Sequence, residues 1–297
     1  MKKLWLPLLL SLLVCTVLII FGSRRQPEEI ISAPVKNPER IVSLAPDITE
    51  ILFALGLDDK IIAVSSDSDY PPEAADKRKV GKFWKPSTEA IITMKPDLVI
   101  AQWFAEQKSV ADTLEQLGYN VLVLSMQKFS ELPEVINKIG IETGVPEKAE
   151  QLASNIESKI NELKAKYNRN EKTKVLWVIE EEPLRVAGRN TFLNEFIEAA
   201  GGENAIGQTL QQYPSISSEE ILSCGAEVII QSAMSKENLE IQQKNAELFW
   251  SKYPNLPAVK NGRIHVLNSD TLLRLGPRLP EGIEIIANCL YGDNTEQ

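Results

Sequence analysis

Few residues in this sequence are of the types that perform catalysis or bind metals. There is one histidine, His265, and there are three cysteines without a CxxC pair. Zinc sites and iron–sulfur clusters need several such ligands, so we expect no metal site and no cofactor. No GxSxG, Walker A or Gly-rich phosphate loop occurs, so we expect no catalytic residue and no enzyme.

Two glutamates occupy matching positions in a weak internal repeat. A Ser-initiated helix pattern followed by a strand pattern covers residues 87–100 and recurs without a gap at 217–230. Glu89 and Glu219 each lie two residues after a serine, at a predicted helix N-terminus. The residues themselves indicate a structural role, because carboxylates stabilise that end of a helix dipole.

Several aromatic residues follow predicted strands or lie in loops, where ligand-lining side chains are usually found. They are Tyr70, Trp84, Trp103 and Tyr213. Trp177 falls inside a strand pattern and Trp250 inside a helix pattern, so we expect both in the core. His265 lies in the strand pattern RIHVL, which indicates a packed or surface residue more than a ligand contact.

Strand and helix patterns alternate along residues 41–125 and again along 173–268, which predicts mostly parallel sheets. Between them, residues 145–168 have apolar positions at three- and four-residue steps, typical of one amphipathic helix of about six turns. We therefore predict an α/β protein with two Rossmann-like lobes, 39–144 and 169–291, joined by a single long helix.

The N-terminus indicates export. Residues 1–25 combine Lys2 and Lys3 with a 19-residue apolar run that ends at Gly22. A cleaved signal peptide and an uncleaved membrane anchor with a transmembrane helix both fit this segment. Residues 26–38 resemble a tether, and 292–297 a tail.

The charge balance indicates what the exported protein does not bind. The net charge of the whole chain is −9 and the pI is about 5.0, which excludes a nucleic-acid surface. We expect an exported monomer in the periplasm or on the outer face of the cytoplasmic membrane.

Three segments carry a family resemblance. PERIVSLAPDITEILFALGL (38–57), SDYPPEA (68–74) and STEAIITMKPDLVIA (87–101) resemble the Fe/B12-type periplasmic binding proteins, the substrate-binding proteins of ABC importers. The resemblance extends from about Pro38 to Leu290. It implies the class III periplasmic binding-protein fold, with a ligand held between two lobes and a permease dimer as partner.

Within that family, the sequence is most similar to the cobalamin-binding proteins. SSDSDYPPEA (65–74), GGENAI (201–206) and SDTLLRLGPR (269–278) resemble their segments. The resemblance implies a corrinoid ligand, a permease-docking role for Glu89 and Glu219, and ligand contacts by Tyr70, Trp84, Tyr213, Asp270 and Arg274. We add Trp103 for its loop position and Arg185 from the segment 180–189, which gives seven predicted ligand-binding residues.

The sequence also departs from that pattern. The cobalamin-binding proteins pair a Cys before GGEN with a C-terminal Cys; here Ala200 replaces the first and Cys289 matches the second. We therefore expect the family disulfide to be absent. Arg185 stands where an aromatic residue is expected, in a charged stretch at 180–189.

Other ligands and other functions stay open. An iron–siderophore carrier would use cleft arginines, here Arg185, Arg189, Arg274 and Arg278, and a haem carrier would use Tyr70 or Tyr213 as an iron ligand. Two further classes are an extracytoplasmic hydrolase and a membrane-tethered sensor. The hydrolase would need a nucleophile beside a base, and the sensor would need an uncleaved anchor.

Overall fold

The computed structural model describes residues 37–233 and 238–292, which form two α/β lobes. The predicted export segment 1–25 lies outside the described residues, as does the tether apart from Asn37 and Pro38. Among the described residues, every helix is too short or too polar to cross a membrane.

The first lobe is built on a five-stranded parallel sheet. Its strands are β1 (Ile41–Ser43), β2 (Ile61–Val64), β3 (Arg78–Lys79), β6 (Leu98–Gln102) and β7 (Val121–Leu124), with an antiparallel hairpin of β4 (Gly81–Lys82) and β5 (Lys85–Pro86). The sheet order is β3–β2–β1–β6–β7. Its helices are α1 (Pro46–Ala54), α2 (Pro72–Ala75), α3 (Thr88–Thr93), α4 (Ala105–Gln116) and α5 (Leu132–Thr143). The central strands are apolar and buried, as expected for a parallel sheet covered on both faces.

One long helix, α6 (Pro146–Lys166), joins the lobes. Its 21 residues correspond to a length of about 31 Å. Five residues form its buried stripe: Ala149, Ala153, Ile156, Ile160 and Leu163. They belong to a hydrophobic cluster that contains core residues of both lobes, so the helix is part of the core of each.

The second lobe repeats the α/β arrangement. Its strands are β8 (Lys174–Glu181), β9 (Leu184–Val186), β10 (Glu203–Asn204), β11 (Val228–Ser232) and β12 (Ile264–Leu267). The parallel order is β10–β8–β11–β12, and β9 pairs antiparallel with β8. Its helices are α7 (Phe192–Ala199), α8 (Ser218–Cys224), α9 (Leu239–Trp250), α10 (Pro257–Lys260), α11 (Ser269–Leu272) and α12 (Leu279–Tyr291).

The predicted architecture of two α/β lobes and one long helix is confirmed. Trp177 and Trp250 are fully buried, and His265 is half-buried within β12. Both halves of the internal repeat fold as a short helix followed by a strand, α3 with β6 and α8 with β11. Cys224 and Cys289 are free thiols.

Helix α5 crosses α6 at a close contact that requires a glycine. A Cβ placed on Gly140 would lie 2.2 Å from the Cβ of Ala149 and 3.2 Å from the carbonyl oxygen of Val145. We expect Gly140→Ala to lower the free energy of unfolding by about 1–3 kcal/mol, because the helices must separate to admit the methyl group. Urea unfolding measures this change.

Gly207→Ala is the matched control, because a Cβ there meets nothing within 4 Å. Equal stability of the Gly140→Ala and Gly207→Ala proteins would contradict the close packing of α5 on α6.

Candidate functional site

The first lobe presents its loops at the carboxyl ends of parallel strands, the edge at which open α/β sheets bind ligands. The loop of residues 65–71 follows β2 and carries Tyr70, which is 41% exposed. Buried hydroxyl groups hold this loop against α1. Thr49 Oγ1 donates to Ser68 Oγ at 3.0 Å, and Ser65 Oγ lies 2.8 Å from Ser68 Oγ.

Trp84 lies in the β4–β5 hairpin, which is hydrogen-bonded at the carboxyl edge of the first sheet to the loop of residues 65–71 and to α4. The backbone N–H of Phe83 donates to Asp67 Oδ2 at 2.6 Å. The buried Gln107 amide donates to the carbonyl oxygens of Phe83 and Leu44, at 3.0 and 2.8 Å. These bonds leave the indole of Trp84 54% exposed on an anchored hairpin.

Trp103 follows β6 and is 58% exposed. Its neighbour Phe104 packs on Phe83 with ring centroids 4.8 Å apart, so the segments that carry Trp84 and Trp103 are in contact. An ammonium group covers each indole: Lys82 Nζ lies 4.9 Å from the Trp84 ring, and Lys108 Nζ lies 5.6 Å from the Trp103 ring. Lys108 also pairs with Asp112.

A cavity of about 430 Å³ opens beside Trp84. The hairpin and helix α4 line it, through Trp84, Lys85, Pro86, Ala105, Glu106, Ser109 and Val110. The side chain of Trp84 therefore forms part of the wall of a cavity between the hairpin and α4.

Asp270 and Arg274 lie in the segment that follows β12, at the carboxyl edge of the second sheet. Arg274 reaches the first lobe, where Nη1 lies 3.2 Å from Glu50 Oε1 and 2.9 Å from Asp69 Oδ1. Its Nη2 lies 3.3 Å from Asp270 Oδ1 and donates to the carbonyl oxygen of Asp67 at 3.1 Å. The segment that carries Asp270 and Arg274 therefore contacts acidic residues of the first lobe.

Arg278 completes this contact. Its Nε donates to Glu50 Oε2 at 2.9 Å and its Nη2 to Glu50 Oε1 at 2.5 Å, a bidentate pair. Its guanidinium carbon lies 3.9 Å from the centroid of the Tyr70 ring. We call Glu50, Asp69, Asp270, Arg274 and Arg278 the inter-lobe ion cluster.

Arg185 and Tyr213 form a separate group on the second lobe. Arg185 lies on β9 and pairs with Glu180 Oε2 at 2.8 Å. The segment that carries Tyr213 pairs with β9, since the N–H of Val186 donates to the carbonyl oxygen of Pro214 at 3.1 Å. Burial raises the pKa of the Tyr213 phenol.

Asp47 is a buried carboxyl group one helical turn from Glu50. It accepts hydrogen bonds from the Gln102 amide and, at 2.9 Å, from the backbone N–H of Ile48. Burial raises the pKa of Asp47 to about 6, and the nearby charge of Glu50 adds to the increase.

Glu89 and Glu219 are exposed in the first turns of α3 and α8. The predicted capping box of α8 is present: Glu220 accepts from the N–H of Ser217 at 2.7 Å, and Ser217 Oγ accepts from the N–H of Glu220 at 3.2 Å. Neither Glu89 nor Glu219 forms an ion pair with another residue in the described part of the chain.

The site residues thus fall into three groups. Tyr70, Asp270 and Arg274 meet at the inter-lobe ion cluster, Trp84 and Trp103 lie on contacting segments of the first lobe, and Arg185 lies near Tyr213 on the second. Glu50, Asp67 and Asp69 were not predicted from the sequence. The one available signal was the position of Glu50 in a helix whose neighbouring residues are apolar. Residues 37–233 and 238–292 contain no group of acidic, Cys or His side chains arranged to hold a metal ion.

Comparison with known proteins agrees with the fold. Residues 41–271 match the family described as periplasmic binding protein. A vitamin B12-binding protein of Vibrio parahaemolyticus is 35% identical over 243 residues, which cover 81% of this chain and 85% of that protein. An uncharacterised ABC transporter substrate-binding lipoprotein of Bacillus subtilis is 32% identical over 270 residues, which cover 88% of this chain and 83% of that protein.

Solved structures are similar over most of both chains. The periplasmic vitamin B12-binding protein of Vibrio cholerae has a TM-score of 0.73 at 29% identity, covering 87% of this chain and 99% of that one. A periplasmic haem-binding protein of Roseiflexus has a TM-score of 0.74 at 28% identity, covering 85% of this chain and 98% of that one. These similarities confirm the class III fold, and the chain belongs to the family of periplasmic binding proteins.

Proposed function

We propose that this protein captures a corrinoid of the cobalamin class between its lobes and delivers it to an ABC importer outside the cytoplasm. The observation that carries the proposal is the first-lobe edge, where Tyr70, Trp84 and Trp103 are exposed on anchored loops. A corrinoid is large, flat and mostly uncharged, with amide arms, and it suits aromatic walls with a few polar groups. The relatives named for vitamin B12 binding support the same ligand class.

A haem or iron–siderophore ligand is the alternative, because similar structures include a haem-binding protein. The arginines that would bind an anionic chelate are already engaged within the chain. Arg185 pairs with Glu180, Arg189 with Glu203 at 3.0 Å, and Arg274 and Arg278 with Glu50. Their charges are compensated, which favours a ligand with little net charge.

Tyr213 also fits a corrinoid. Burial raises the pKa of its phenol, which favours the neutral, hydrogen-bonding form in the absence of a metal ion. An apolar or hydrogen-bonding contact with a ligand fits its half-buried position.

We expect cyanocobalamin to bind the purified protein with submicromolar Kd in calorimetric titration. Trp84→Ala should weaken binding about tenfold, because an exposed ring that a ligand buries is a typical energetic anchor. Leu248→Ala is the matched control, since Leu248 is an exposed apolar residue on α9. Tight binding of haem or a ferric siderophore, with no binding of cyanocobalamin, would contradict the corrinoid proposal and support the alternative ligand.

Glu89 and Glu219 are proposed to dock the protein on the permease dimer. One exposed carboxylate from each lobe, each in the first turn of a helix that precedes a strand, supports this role. In α8 the capping box is formed by Ser217 and Glu220, so the side chain of Glu219 is not needed to cap the helix N-terminus. A permease dimer needs two equivalent contacts, and the repeat provides one in each lobe.

The family consists of binding proteins, and a hydrolase reaction has no support in the site residues described above. The monomeric state and the form of N-terminal attachment stay predictions. Sequencing the mature N-terminus would distinguish a cleaved signal from an uncleaved anchor, and thereby test the membrane-tethered sensor as well.

A further inference from the structure

The two lobes meet at a buried ion cluster, in addition to the linking helix α6 and the contacts of Phe129 with Glu195 and Phe196. Glu50 belongs to α1 of the first lobe, and its side chain is only 2% exposed. Both of its carboxylate oxygens bind guanidinium groups of the second lobe, from Arg274 and Arg278, whose side chains are 12% exposed. Glu50 is separated from Arg274 by 224 positions in the sequence and from Arg278 by 228, so only the folded two-lobe arrangement brings them into contact.

The charges in this contact are compensated on both sides. Arg274 has Asp69 and Asp270 as further partners, and Arg278 Nη1 donates to Thr271 Oγ1 at 3.0 Å. In a buried site, removing one partner of such a network leaves an uncompensated charge, which costs more than losing an exposed ion pair. Glu50 is central because its carboxylate binds both arginines.

The second-lobe segment also approaches α1 closely. A Cβ placed on Gly276, between the two arginines, would lie 3.6 Å from Glu50 Oε2 and 3.8 Å from Asp47 Cα. The backbone of residues 274–278 therefore lies against the N-terminal turns of α1. Ion pairs at both ends of this short segment fix its position against the first lobe.

We propose that Glu50 is a positioning residue that holds the 269–278 segment of the second lobe on the first lobe. It thereby sets the separation of the lobes and the placement of Tyr70, Asp270 and Arg274. The effect on ligand binding rests on the proposed function, whereas the effect on lobe separation does not. Glu50 itself has its oxygens directed to the two arginines, so its role is exerted through them.

The decisive measurement is the distance between the lobes in the ligand-free protein. Spin labels at Leu117→Cys on the first lobe and Leu248→Cys on the second, with the native cysteines changed to serine, report this distance in pulsed electron paramagnetic resonance. Both positions are exposed. We expect Glu50→Gln to broaden the distance distribution and shift it to longer values. An unchanged distribution would overturn the proposal.

Two further variants serve as a control and as a charge-conserving comparison. Glu134→Gln removes an exposed pair with Lys138 on α5 and should leave the distribution as in the wild type. Arg278→Lys keeps the charge but loses the bidentate geometry, so it should broaden the distribution less than Glu50→Gln. If neither Glu50→Gln nor Arg278→Lys folds, the cluster is a folding requirement and not a separable connection, and the proposal fails.

Binding kinetics then separate positioning from direct contact. Glu50→Gln should raise the dissociation rate of cyanocobalamin about tenfold, because Asp270 and Arg274 would be held less firmly and most changes in affinity act on dissociation. Trp84→Ala should weaken binding without changing the inter-lobe distance. If cyanocobalamin does not bind the wild type, the proposed function fails while the distance measurement still decides the role of Glu50. A changed distance with an unchanged dissociation rate would overturn the claim that Glu50 positions the ligand residues.

Discussion

A protein in which both Glu89 and Glu219 are changed to Gln is expected to bind its ligand normally and to support no uptake. The two carboxylates are exposed, one per lobe, without an ion-pair partner among the described residues. Burying an unmatched partner charge at an interface typically costs about 2–5 kcal/mol, so losing two such contacts should weaken docking more than about 100-fold. Ligand-dependent ATP hydrolysis and uptake by vesicles that contain the permease measure the effect.

Glu220→Gln with Glu134→Gln is the control for this pair of substitutions. It also removes one exposed carboxylate from each lobe, at positions that the docking proposal does not use. The calorimetric Kd should be the same for wild type, control and docking variant. Uptake by the docking variant at the control level would refute the assignment of Glu89 and Glu219.

Asp47→Asn is expected to change how stability depends on pH. The pKa of Asp47 rises from 3.8 to about 6 on folding, mainly through burial. The folded chain therefore binds this proton more tightly than the unfolded chain, so the Asp47 contribution to stability falls as pH rises from about 4 to 6. A shift of this size corresponds to about 3 kcal/mol of destabilisation at neutral pH, as an upper bound.

Urea unfolding of wild type and Asp47→Asn between pH 4 and 7.5 tests this sign. The stability of the variant relative to wild type should improve with rising pH through this range and level off above about pH 6. The loss of one hydrogen bond to Gln102 or Ile48 should lower the stability of the Asp47→Asn protein by about 1 kcal/mol at every pH. The exposed Asp58→Asn substitution is the control, and a wild-type-minus-variant difference that is flat with pH would contradict the raised pKa of Asp47.

The sequence was most informative where a pattern is periodic over many residues. The apolar stripe of 145–168 predicted helix α6 because it repeats for about six turns, and the buried strands followed from short apolar runs. Helices α5 and α12 were not predicted. Each contains a glycine, Gly140 or Gly282, that is needed for close packing but weakens the helical pattern.

The site was predictable only in its local parts. The loop positions of Trp84 and Trp103 could be predicted because a loop after a strand can be recognised from neighbouring residues. Of the partners of Arg274, Asp270 could be identified because it is four residues away, whereas Glu50 belongs to the other lobe. The apolar neighbours of Glu50 in α1 do not by themselves reveal its burial, because a segment more than 200 residues later creates it.

The same separation along the chain has a consequence for the order of folding. Contacts between residues far apart carry a large loop-closure entropy, so they form after the local contacts that shorten the intervening chain. The strand pairs β1–β6 and β8–β11 each form within one lobe, whereas Glu50 meets Arg274 and Arg278 across 224 and 228 positions. We therefore expect the ion pairs of Glu50 to form late in folding, after the strand pairs within each lobe.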